Sequence, residues 1–78
     1  MTAVISVKAN PGSPAAGAVI EAVGERLAIA PVPGADGSWE FCFDGGTYGQ
    51  AHAAVVEALI AVDPRWTADV TLEYALAV

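Results

Sequence analysis

Basic residues are the scarcest chemistry in this chain. Lys8, Arg26 and Arg65 stand against nine Asp and Glu, for a formal net charge of −6 over 78 residues. Phosphate backbones are held by clustered Lys and Arg that displace counterions, so direct nucleic-acid binding is excluded as an expectation, as is attraction to an anionic membrane. The acids are spread from Glu21 to Glu73 without a run, the pattern of a solvated surface rather than of an imitation of a phosphate strand.

Cysteine is nearly absent as well. Cys42 is the sole thiol, which rules out an internal disulfide and implies no oxidising compartment. With His52 the sole histidine, no Cys/His set has metal-ligand spacing, so no metal or other cofactor is expected. No GxxxxGK[ST], GxGxxG or GxSxG motif occurs. No long charge-free apolar run is uninterrupted by Gly, Pro or Ser, and no basic-then-apolar leader opens "MTAVISVKA". A cytoplasmic setting is therefore expected.

What the chain does have is apolar residues, 55% of the total, enough for a packed core and too many for disorder. Many are alanine, which fills space but removes little area from water. A chain this short hides only about 60–65% of its unfolded surface, so one domain over residues 1–78, built in thin layers, is expected.

The patterning supplies the elements. Ala3, Ile5, Val7 and Ala9 alternate with Val4, Ser6 and Lys8, the period of a half-buried strand. "NPGSP" breaks it, and Ser13-Pro14 predicts a helix start, the serine hydroxyl capping an unpaired N–H. Ala16, Val19, Ile20, Val23 and Leu27 then recur at helical spacing. Gly17 and Gly24 inside that helix predict the close approach of another backbone, that of the underlying sheet. A hairpin follows: its first strand carries Pro31 and Pro33, which cannot donate to a ladder and so belong at a sheet edge. Its second strand places Trp39, Phe41 and Phe43 on one face and Glu40, Cys42 and Asp44 on the other.

Thr47 and Gln50 have the spacing of a capping box, opening a second helix with a stripe of Ala51, Val55, Ala58, Leu59 and Val62 that ends at Asp63-Pro64. The chain closes on "DVTLEYALAV", with Val70, Leu72, Tyr74, Leu76 and Val78 inward and Thr71, Glu73, Ala75 and Ala77 outward. The succession β-α-β-β-α-β predicts an α+β, two-layer, ferredoxin-like split βαβ fold. It has a four-stranded antiparallel sheet with its first and third strands central and two helices on one face.

Four groups of residues offer themselves as sites. Cys42 and His52 form a conceivable nucleophile and base, but Glu40 and Asp44 flank the thiol and disfavour its thiolate. Glu40, Asp44 and Glu73 could neighbour one another on the open sheet face, where a carboxylate pair can raise a pKa, and in a small enzyme Glu40, Asp44 or His52 would carry the acid–base work. "DGGTYG" has the glycines of an anion nest without a nearby cation, the pattern of a turn and cap. The stretch "ISVKANPGSPAAGAVIEAVGE", residues 5–25, resembles the opening of ACT-type regulatory domains, where a strand, an Asn/Asp-x-Pro-Gly-like turn and a helix shape an amino-acid site between paired domains. That resemblance implies a dimeric small-ligand sensor with Asn10, Pro11 and Gly12 as the ligand loop, although Ser13–Ala16 shifts the helix off the family's apolar pattern.

The expectation placed first is non-catalytic. The helix-free sheet face (Val4, Ser6, Lys8, Glu40, Cys42, Asp44, Thr71, Glu73, Ala75 and Ala77) and the unguarded last strand are the interaction surface of a small acidic protein-binding module. An accessory subunit, or a blocking inhibitor of the kind phages encode against host machines, fits that description. The partner would be a protein, a basic nucleic-acid-handling one being the best electrostatic match, and the bare edge would alternatively recruit a second copy as a homodimer. Trp66 is expected as a core plug, or as an exposed binding anchor beside Arg65.

Overall fold

A computed structural model describes residues 2–34 and 37–73. Strand β1 (Thr2–Ala9) leads into helix α1 (Ala16–Leu27), followed by the short strand β2 (Val32–Pro33) and by β3 (Ser38–Asp44). Helix α2 (Tyr48–Val62), a 3-10 turn (Trp66–Ala68) and β4 (Val70–Glu73) complete the order. The sheet runs β2-β3-β1-β4, and every described pairing is antiparallel. The expected ferredoxin-like α+β architecture is thus observed, with β1 and β3 central.

Alternation in the strands decides what is buried. Ile5, Val7 and Phe41 are fully buried, Phe41 pairing with Ile5 and Trp39 with Val7, and this apolar face meets the helices. From the helices come Ala16, Val19, Ile20 and Val23 of α1 and Ala51, Val55, Ala58 and Leu59 of α2, which close one core with Val70 of β4. Trp39, Phe43, Trp66 and Leu72 are partly buried against it, so Trp66 is packed on the core. The shortest molecular dimension is 18 Å, the thickness of one helix layer on one sheet.

The ends of the elements show which local rules held. Thr47 Oγ1 accepts from Gln50 N at 3.1 Å while Gln50 Oε1 accepts from Thr47 N at 3.0 Å, a complete capping box. Gly45 and Gly46, at φ 85° and 76°, let the chain leave β3 ahead of it. Asp63 is the extended C-cap before Pro64.

Helix α1 departs from expectation. Its N-cap is Ala15, with no side-chain cap, and the Ser13 hydroxyl instead donates to Asp69 Oδ1 at 2.6 Å. The helix begins at Ala16, so Ser13 stands two residues ahead of the N-cap position, and the fold brings Asp69 within reach of its hydroxyl. The close approach at Gly24 is real, but the chain it meets is its own return segment. A Cβ there would lie 2.8 Å from Pro31 Cδ and 2.9 Å from the Ile29 carbonyl oxygen. Gly17 meets nothing within 4 Å. Strand β2 keeps only two paired residues, because Pro31 and Pro33 leave little backbone able to donate.

The expected continuation of β4 over 74–78, including Ala75 and Ala77 of the candidate face, lies outside the described residues.

Candidate functional site

The sheet face away from the helices is built by strand register. Across its middle runs a row Val32–Glu40–Ser6–Glu73, one residue from each strand in spatial order. The neighbouring row sets Lys8 between Ser38 and Thr71, and beyond the first row Val4 pairs with Cys42. Val32, Lys8, Cys42, Asp44, Thr71 and Glu73 are exposed, whereas Val4, Ser6 and Glu40 are half-buried. Ser38 is buried. Among the described residues the surface is therefore a polar patch with Glu40 and Glu73 flanking Ser6, a third carboxylate at Asp44, one lysine and one free thiol, and no aromatic ring.

Geometry limits the chemistry of this patch. Glu40 and Glu73 are not on adjacent strands: β1 separates their backbones by two interstrand spacings, about 10 Å. Cys42 is exposed on this face, while His52 belongs to α2 on the other side of the sheet, where its ring centroid lies 6.2 Å from that of Tyr48. The sheet stands between thiol and imidazole, so the structure does not bring the pair together. Among the described residues no cluster of three or more His, Cys, Asp or Glu side chains forms a metal site. No described helix is long and apolar enough to cross a membrane.

The Asn10–Gly12 loop has a different occupation. Asn10 Nδ2 donates to the Thr67 carbonyl at 2.9 Å, its Oδ1 accepts from the Thr71 hydroxyl, and its backbone N donates to the Asp69 carbonyl at 2.8 Å. With Ser13 on Asp69, these bonds clip the β1–α1 loop to the segment leading into β4. The Asn10 amide is thus engaged at both its oxygen and its nitrogen, and Pro11 and Gly12 are exposed at the tip. The same bond ties Thr71, a member of the candidate face, back to the end of β1.

The two sheet edges are unlike. At the β2 edge, prolines deny donors to an incoming strand. At the β4 edge, Val70–Glu73 contains no proline and a single charge.

Sequence reasoning did not foresee a cleft on the helix side. Gly17, Ile20 and Glu21 of α1 face Pro31 and Trp39 of the hairpin across an open space of about 400 Å³. Its one sequence cue was Gly17, read as a contact for the sheet when it is a gap.

The chain matches no known protein family, no curated protein and no solved structure.

Proposed function

We propose that this chain is a small acidic, non-catalytic interaction module. It docks on a protein partner through the helix-free sheet face and the adjoining β4 edge, acting as an accessory subunit or as a blocking inhibitor. The observation that carries this reading is the continuity of the two surfaces. The row Glu40–Ser6–Glu73 runs across the open face and ends on the strand whose outer backbone is unguarded by proline. A partner strand added at β4 would gain main-chain hydrogen bonds, and the face beside it would supply the side-chain contacts. The net charge of −6 selects for a basic partner and speeds its encounter.

The test is affinity capture from lysate with the wild-type chain, a Glu40→Lys/Glu73→Lys variant and a Glu57→Lys variant. Glu57 is exposed on α2, on the other side of the sheet, and serves as the control. A partner retained by wild type and by Glu57→Lys but lost from the sheet-face variant supports the reading. Recovery of the chain alone, or equal capture by all three, opposes it.

A further inference from the structure

The cleft beside α1 lies at the first of two glycines one heptad apart, whose surroundings differ. At Gly24 the helix presses onto the return segment so closely that a Cβ would collide with Pro31. Two turns earlier, at Gly17, a Cβ would meet nothing within 4 Å. The space therefore opens toward the N-terminal half of α1. Buried Ile20 and half-buried Pro31 and Trp39 give it apolar walls, and exposed Glu21 is the one charged residue lining it among the described residues.

We propose that this cleft binds the side chain of an arginine presented by a basic partner. Apolar walls fit the alkyl stem, and an indole is the ring on which a guanidinium stacks best. Glu21 makes no hydrogen bond or ion pair with another described residue, so its carboxylate is free to receive a planar cation bidentately. A purely apolar occupant would cover part of that carboxylate and give it nothing in return. An anionic occupant would meet both Glu21 and the net charge of −6, with no lysine or arginine among the lining residues to compensate. Lysine satisfies charge and stem, but it is a strongly hydrated point charge and lacks the planar stack and the fork.

The cleft lies across the sheet from the docking face proposed above, so the two surfaces are independently measurable. The test uses the full chain labelled with 15N and titrated with N-acetylarginine methylamide, N-acetyllysine methylamide and N-acetylnorleucine methylamide, while amide and indole shifts are followed by NMR. The Trp39 indole signal is identified by its loss in Trp39→Phe. The expected result is a saturable shift of the Trp39 indole and of the Gly17–Glu21 amides with arginine, about tenfold weaker with norleucine and intermediate with lysine. Glu21→Gln should weaken arginine binding about three- to tenfold, in line with a charge-assisted hydrogen bond becoming a neutral one. Gly17→Leu, which fills the open end, should abolish it. Should Gly17→Leu fail to fold, the ligand series and Glu21→Gln decide alone. Equal response to norleucine and arginine, indifference to Glu21→Gln, or shifts confined to other surfaces would overturn the proposal.

Discussion

The Ser13 hydroxyl donates to Asp69 Oδ1 at 2.6 Å, joining residues 56 positions apart. Together with the Asn10 bonds to Thr67, Asp69 and Thr71, it fixes the place where β1 gives way to α1 against the place where the last strand begins. Because β4 is an edge strand held on one side only, by β1, this clip is part of what defines the edge available to a partner.

Breaking the clip should therefore cost stability, in an amount the partly buried bond allows. Ser13→Ala and Asp69→Ala are each expected to destabilise the fold by about 1–2 kcal/mol, and the double variant by less than their sum. Denaturant unfolding of the four species gives the coupling. Strict additivity would show that the bond does not contribute.

The two glycines of α1 should respond with opposite signs. Gly17→Ala gains up to about 1 kcal/mol from helix propensity, because its Cβ enters open space. Gly24→Ala gains the same propensity but must push Pro31 and the Ile29 carbonyl aside, and a net loss of about 1–3 kcal/mol is expected. Melting temperatures of the two variants, one above and one below wild type, check this.

Helix α1 ends on Ala28 with φ 57°, a left-handed conformation in which alanine is disfavoured. Ala28→Gly should stabilise by about 0.5–1 kcal/mol, the relief of the Cβ clash exceeding the entropy glycine adds to the unfolded chain. Chemical denaturation measures it, and a loss of stability would count against strain at this cap.

Much of this fold is written locally. The period of two in β1 and β3, the Thr47–Gln50 box, the Asp63-Pro64 stop and the proline-bearing edge strand were legible because each is decided by neighbours a few residues away. Alternation also placed Glu40, Cys42 and Glu73 on the outer face. What was illegible depends on distant segments meeting. Ser13 looked like a helix cap because the local rule knows nothing of Asp69. The Gly24 contact was expected from the sheet and came from the return segment instead. The cleft arises only where α1, Pro31 and Trp39 converge, so no window of sequence could display it.

Self-association should be weak. Pairing of two copies through β4 or the open face brings together two bodies of net charge −6, with Glu73 on the shared strand and Glu40 and Glu73 on the shared face. Sedimentation equilibrium at low ionic strength is expected to give the monomer mass, with any dimer favoured only as salt screens the repulsion. A dimer that is tightest at low salt would show that the edge prefers its own copy.

The docking account is tested most directly at Cys42, the only cysteine in the chain, exposed on the helix-free face one row from Glu40 and Ser6. Coupling a bulky maleimide to it places an obstruction there without touching the core, and circular dichroism verifies that the fold persists. Capture from lysate is then compared between the unmodified and the coupled chain. The account predicts that the partner held by the unmodified chain is lost on coupling. Undiminished capture by the coupled chain would contradict it.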